Sequence, residues 1–304
     1  MVTLVRAPNP SAMTLSGTNS YLVERDGDAI AIDPGPNIPR HVEAIRETAR
    51  VRGLTIRAIA LTHGHPDHAP AAVPLAAATG APVYAHPASQ APHDRTLALE
   101  GELRAGAVAL HVMDAPGHTF DHVVFYEPGE RALFTGDVIL GEGTVVIAPP
   151  GGAMRPYQHT LRRLADEFGA ARVIYGGHGE RVDDAQAKIA EYIAHRQMRE
   201  GELLEALSGG PQTIPDLVIR IYGPERSVLW PAMARQMLAY LEALEAEGRV
   251  SAEPAGNGLS ARDEAIMNPP WDTIVGSDQA DVIREELGAS LHVGALSRYR
   301  LIAR

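Results

Sequence analysis

Cysteine is absent from the 304 residues, and lysine occurs once, at Lys188. The first absence excludes disulfide staples, thiol nucleophiles and thiolate-held zinc, so any metal must be gripped by imidazole and carboxylate. The second leaves arginine as nearly the whole basic complement and excludes any mechanism that needs a cluster of lysines. Positive charge is also in deficit: 27 Lys and Arg face 38 Asp and Glu, a formal net charge of −11. That balance argues against broad attraction to nucleic acid or to an anionic membrane, so a nucleic-acid substrate would have to be gripped locally. No window approaches the length of a membrane span. The start, Met1-Val-Thr-Leu-Val-Arg-Ala-Pro8, has neither a basic n-region nor a long apolar h-region. The expectation is no membrane partner and cytoplasmic residence, which weakens a periplasmic task such as antibiotic hydrolysis. The Gly-rich turns hold no Gly-x-x-x-x-Gly-Lys pattern, so nothing points to nucleoside triphosphate binding.

What is present is a strand-and-helix alternation over the first two-thirds. Tyr21-Leu-Val, Ala29 to Asp33, Leu54 to Thr62, Pro82 to His86, Ala107 to Met113, 123–126, 132–135 and 173–175 read as short strands. Arg40 to Arg50 and an Ala-rich stretch at about 69–79 read as helices. This is an α/β pattern of mixed sheets covered by helices. Near residue 195 the texture changes to three helices, at about 196–207, 214–222 and 228–247, separated by Gly209-Gly210-Pro211 and Gly223-Pro224. Arg249-Val-Ser and the final Ser297 to Ala303 read as a pair of strands. The expected organisation is a catalytic domain over 1–195 and a winged-helix-like domain over 196–304. An insertion at about 253–296, with a helix-like piece near 278–288, falls in its wing.

Chemistry concentrates at Thr62-His-Gly-His-Pro-Asp-His68, where three imidazoles and a carboxylate fall within six positions. Two His one residue apart on an extended segment point the same way and can reach one ion. The Asp67-His68 pair, after a Pro that stops the strand, projects elsewhere and offers a second position nearby. Three more residues sit where a strand gives way to a loop: His118 in Ala-Pro-Gly-His-Thr, Asp137 in Phe-Thr-Gly-Asp, and His178 in Tyr-Gly-Gly-His-Gly. The glycine before each lets the backbone approach a crowded site. The other histidines, His41, His86, His93, His111, His122, His159, His195 and His292, fit no ligand role. His86 and His122 are read as packing residues ahead of cleft-lining ones.

The order His-x-His-x-Asp-His, Gly-His, Gly-Asp, Gly-His-Gly resembles the metallo-beta-lactamase superfamily over about residues 12–195. That resemblance implies a four-layer αβ/βα sandwich and a dinuclear site. In it His63, His65 and His118 hold the first ion, Asp67, His68 and His178 the second, and Asp137 bridges them. It also implies two zinc ions, with iron or manganese as alternatives for an all-nitrogen-and-oxygen ligand set. On that reading a metal-bridging hydroxide would be the nucleophile, and Asp67 would orient it and pass on its proton. Asp33 is expected outside the ligand set, in a supporting role at a strand end.

Met13-Thr-Leu-Ser-Gly-Thr-Asn-Ser-Tyr-Leu-Val23, Gly136 to Thr144 and Ala187 to Arg196 are similar to the beta-lactamase-like protein 2 branch. That similarity implies a zinc endoribonuclease acting on single-stranded RNA, with a C-terminal winged-helix-like domain. The alternatives are a glyoxalase II-like thioester hydrolase, a promiscuous β-lactam hydrolase, a mononuclear iron persulfide dioxygenase and a non-catalytic scaffold. The expected partners are single-stranded RNA or a small ester or thioester. Glu242, Glu245 and Glu247 stand against Arg235 on the longest helix of the C-terminal domain, which favours packing, a homodimer contact or cleft covering over groove binding. Loops 13–20, 87–106 and 141–157 are expected to set what fits the site.

Overall fold

A computed structural model describes residues 1–255, 260–268 and 297–302. The chain divides into two compact units, residues 1–145 with 160–190 and residues 146–159 with 191–304.

The first unit is built on two sheets. One has six strands in chain order, β1 (Val2–Arg6), β2 (Asn19–Arg25), β3 (Asp28–Ile32), β4 (Thr55–Ala60), β5 (Val83–Ala85) and β6 (Arg95–Thr96). β1 to β3 are antiparallel, and β3 to β6 run parallel. Helices α1 (Pro39–Val51) and α2 (Ala72–Thr79) supply crossovers between the parallel strands. The other sheet is ordered β11-β10-β9-β8-β7, from β7 (Glu102–Ala105), β8 (Val108–Asp114), β9 (Val123–Glu127), β10 (Ala132–Gly136) and β11 (Val173–Gly176). Its single parallel pair is β10 with β11, which are joined through helix α3 (Met154–Glu167).

Period-2 patterning explains how the sheets stack. Tyr21, Val23, Ile30, Ile32, Ala58 and Ala60 from the first sheet pack against Leu103, Leu110, Val112, Val123, Phe125 and Phe134 from the second. The alternate residues Leu22, Ala31, Ile56 and Ile59 face Val42, Ile45, Ala49 and Leu75 of α1 and α2. A parallel strand covered on both faces needs a continuous apolar run, and Ala58 to Leu61, at the C-terminal end of β4 and just beyond it, supplies one, all four residues buried. On the far side, Phe168, just after α3, lies 4.9 Å from Tyr126 and 5.8 Å from His111. The expected mixed sheets between helices are present.

Every strand and both helices read from the first two-thirds of the sequence are found, with α2 starting at Ala72 rather than near 69. Residues 66–71 form turns instead, with Ala71 N–H donating to the Gly35 carbonyl. The pattern did not reveal β1, β6, β7 or α3.

In the second unit the helix expected at 196–207 is the end of a longer one, α4 (Ala185–Ser208). Then come β12 (Gln212–Thr213), α5 (Ile214–Tyr222), a 3-10 turn (Pro224–Leu229), α6 (Trp230–Ala246), β13 (Val250–Pro254), α7 (Ala261–Met267) and β14 (Ser297–Leu301). The expected pairing of the two late strands is there, antiparallel from Val250↔Leu301 to Pro254↔Ser297, and β12 adds to the other edge of β14. Pro231 sits in the first turn of α6. Arg235 is buried, donating to the carbonyls of Pro231 at 3.2 Å and Met267 at 3.0 Å, so it does not offset the glutamates of α6 on the surface. The helix read near 278–288 lies outside the described residues. Among the described residues, no helix is long and apolar enough to cross a membrane.

Candidate metal centre

The seven expected residues converge at one end of the two sheets in the first unit. His63, His65, Asp67 and His68 follow β4. His118 lies between β8 and β9, Asp137 follows β10 and His178 follows β11. Two groups of three have ligand atoms within 4.8 Å of one another: His63, His65 and His118, and Asp67, His68 and His178. Asp137 reaches both groups. Its Oδ1 is 3.5 Å from His68 Nε2, and its Oδ2 is 3.4 Å from His178 Nε2 and 3.8 Å from His118 Nε2.

Hydrogen bonds behind the site fix which ring nitrogen faces inward. Asp33 accepts from Thr62 N–H at 2.7 Å, from Thr62 Oγ1 at 2.6 Å and from His68 Nδ1 at 2.9 Å. A carboxylate can only accept, so His68 keeps a proton on Nδ1 and turns Nε2 toward the site. The Thr62 hydroxyl spends its only hydrogen on Asp33. It must therefore accept from His63 Nδ1, 3.0 Å away, and this leaves His63 Nε2 bare. Asp33 thus holds two imidazoles from behind, matching the supporting role expected of it. It also lies within 4.8 Å of His63 and His68 by ligand atoms, but its oxygens are committed to these donors.

Close backbone approach is visible at two glycines. A Cβ on Gly136, whose φ is +46°, would fall 2.5 Å from Thr62 Oγ1 and 2.8 Å from His122 Nε2. One on Gly177 would overlap Asp137 Oδ1 and stand 2.6 Å from His68 Cε1. Beneath the site, Tyr21, Phe134 and Tyr175 form a ring cluster with centroids 5.2–5.5 Å apart, and the Tyr21 hydroxyl donates to the Gly176 carbonyl at 2.7 Å.

The electrostatics divide between the two groups. Burial and neighbouring imidazoles hold His63 well below its ordinary pKa, and burial lowers His65. Burial also opposes charge on His68 and His178, but Asp67 and Asp137 outweigh it; His178 is raised to about 10. Against the same burial, His68 and His178 pull the carboxyls of Asp67 and Asp137 well below the usual range. These carboxylates, sunk in a low-dielectric setting, draw positive charge to the space they share.

The residues fit a divalent cation. His63 Nε2, Asp67 Oδ1 and Asp137 Oδ1 are buried without a hydrogen-bond partner, a costly state unless something else engages them. The donor set is entirely nitrogen and oxygen, which suits zinc or iron.

Sequence reasoning missed several supporting residues. Thr18 Oγ1 donates to Asp67 Oδ2 at 3.0 Å. Residues 17–20, expected to frame the substrate, are instead buried behind the ligands. His122 is fully buried, stacked on His63 at 4.7 Å, and its Nε2 accepts the Asp137 N–H at 3.1 Å. His86 is also buried, between Ala88 N–H at 2.9 Å and Asp114 at 3.3 Å. Both are packing residues, as read, but His122 packs directly onto the centre. A Thr or His beside a metal motif carries no spacing signal of its own, so neither role was legible.

Comparison with known proteins agrees with this geometry. Residues 13–178 match the sequence profile described as Metallo-beta-lactamase superfamily. The beta-lactamase-like protein 2 homolog of Drosophila melanogaster is 32% identical over 260 residues, covering 80% of this chain and 87% of its own. The atrochrysone carboxyl ACP thioesterase of Aspergillus novofumigatus is 31% identical over 233 residues, covering 72% and 70%. Among solved structures, a metallo-beta-lactamase family protein from Thermus thermophilus aligns with a TM-score of 0.69 at 24% identity, covering 83% of this chain and 95% of its own. The chain belongs to the metallo-beta-lactamase superfamily of metal-dependent hydrolases.

Proposed function

We propose that this protein is a dinuclear metal hydrolase that cleaves phosphodiesters of single-stranded RNA. The observation that carries the dinuclear reading is the pair of three-residue groups with Asp137 within 3.8 Å of both. His63, His65 and His118 would hold one ion, Asp67, His68 and His178 the other, with Asp137 between them and zinc as the first choice of metal. Bound there, divalent ions would lower the pKa of a water molecule and polarise the bond to be cut. Asp67 keeps Oδ2 engaged by Thr18, while Oδ1 is free of protein partners; we assign Oδ1 to receive the proton of the attacking water. The tautomers fixed by Asp33 and Thr62 keep Nε2 of His68 and His63 available without a rearrangement.

The RNA assignment rests on similarity to the beta-lactamase-like protein 2 branch over most of the chain. The order α4, β12, α5, 3-10 turn, α6, β13, α7, β14, with the sheet order β12-β14-β13, supports a winged-helix reading of residues 196–304, with α7 inserted between the last two strands and 1–195 as the catalytic domain. Thioester hydrolysis is the second reading, favoured by the thioesterase among the relatives. Zinc-loaded protein assayed in parallel on single-stranded RNA, S-lactoylglutathione and a β-lactam separates the two. RNA cleavage abolished by Asp67→Asn, in a variant that still unfolds cooperatively, is the expected result. Turnover of the thioester alone would replace the RNA reading, and full activity in Asp67→Asn would remove the role given to that carboxylate.

A further inference from the structure

The three residues of the second group, Asp67, His68 and His178, each have an outer partner. Asp33 supplies it for His68. The other two partners come from one short stretch, Gly17-Thr18. The Gly17 carbonyl faces His178 Nδ1 at 3.4 Å, and the Thr18 hydroxyl donates to Asp67 Oδ2 at 3.0 Å. Thr18 is in turn clasped by Asn9, whose Oδ1 accepts the Thr18 N–H and whose Nδ2 reaches Thr18 Oγ1, both at 3.0 Å.

These contacts leave one arrangement of protons. The backbone N–H fixes which end of the Asn9 amide is oxygen, so its NH2 must face the Thr18 hydroxyl. That hydroxyl accepts from Asn9, and its single hydrogen goes to Asp67. Asp67 Oδ2 is thereby held by Thr18 while it faces His68 Nε2 at 3.3 Å and His178 Nε2 at 3.2 Å, so the hydroxyl fixes the carboxylate against the other two residues of the second group. The stretch is itself anchored. Ala7 N–H donates to the Thr18 carbonyl at 2.8 Å, and Asn19 N–H donates to the Gly177 carbonyl at 2.7 Å. The Asn19 side-chain amide bonds the carbonyls of Gly176 and Gly179, on either side of His178, at 3.0 and 2.8 Å. Gly17, at φ +121°, sits so close to the Ala7 carbonyl that a Cβ would overlap it. His63, in the first group, is held by Thr62 instead.

We propose that Asn9 and Thr18 are positioning residues for the second cation site, a relay that aims Asp67 and governs occupancy of that site while leaving the first intact. This rests on the dinuclear reading. The test titrates zinc into the metal-free chain and counts bound ions after dialysis, for wild type, Thr18→Val, Thr18→Ser and Asn9→Asp. Thr18→Val removes the donated hydrogen. Asn9→Asp keeps the shape but gives the hydroxyl a competing acceptor.

The expected result is one tightly held ion in both, with the second weakened about 10–100-fold, and recovery in Thr18→Ser to within about threefold. kcat falls in step, while KM stays within about twofold. Two ions at wild-type affinity in Thr18→Val and Asn9→Asp would overturn the proposal. So would equal weakening of both ions with no recovery in Thr18→Ser, the mark of a merely structural role. A wild-type chain that takes up a single ion removes the dinuclear reading; the relay then stands or falls on whether Thr18→Val weakens that ion and Thr18→Ser restores it.

Discussion

His41 shows how a buried imidazole outside the ligand set shapes behaviour. It is 1% exposed, with Nε2 2.9 Å from the Ser20 hydroxyl, and burial lowers its pKa from 6.5 to about 4. A histidine depressed in this way favours the folded state while it is neutral. Between pH 6.5 and 4 the unfolded chain binds the proton and the folded chain does not, so stability falls as pH drops through that window. The contribution is full above pH 6.5 and gone below about 4. His68 and His178 are raised and act in the opposite sense, so the signature is best read by difference. Urea midpoints of wild type and His41→Gln, taken at pH 7.5 and 5.0, should show a smaller acid loss in the variant. Equal losses would mean that this side chain titrates alike in both states.

At the scale of elements, the turn after β11 makes a sharper demand than any helix. Gly177 leaves no room for a methyl group between Asp137 and His68. Gly177→Ala should push both side chains aside, weakening zinc uptake about 10–100-fold and costing about 1–3 kcal/mol of stability by overpacking. Equilibrium dialysis and urea unfolding check the two effects separately; unchanged zinc affinity would show that the turn can shift without moving the ligands. The same turn shows what a sequence can announce. His178 was legible because Gly-Gly-His-Gly ends an apolar strand, and the buried strands β3, β4, β9 and β10 were legible because burial on both faces demands apolar runs. β1 was not, since a half-exposed edge strand has no such demand. α3 was passed over because 154–167 carries Pro156 near its start and polar residues at many positions. Thr18 and Asn9 were silent because their roles come from contacts between distant segments, and spacing does not encode those.

At the scale of the whole molecule, the candidate ligands are shared between two sheets. His63, His65, Asp67 and His68 extend from the first sheet, and His118, Asp137 and His178 from the second. Each of the two groups draws on both sheets, so an ion held by either would join the sheets at the rim of their common core, and metal should stabilise the fold as well as equip it. With free zinc at 100 to 1,000 times its dissociation constant, the gain is about 2.7–4.1 kcal/mol. Calorimetry with zinc and then with excess chelator should show the midpoint falling on metal removal, and equal midpoints would argue that the centre closes without help from a cation.

The division between sheets also sets an order of events during synthesis. His68 and His178 stand 110 residues apart, and β9, β10, α3 and β11 are made between them. The first three-residue group is chemically complete once His118 has left the ribosome, but the second must wait for a residue some sixty positions later. On the dinuclear reading, a growing chain would have nowhere to lodge a full pair of cations until most of its first unit had been translated. Loading of the second group would then be a late step, open only after β11 has been made.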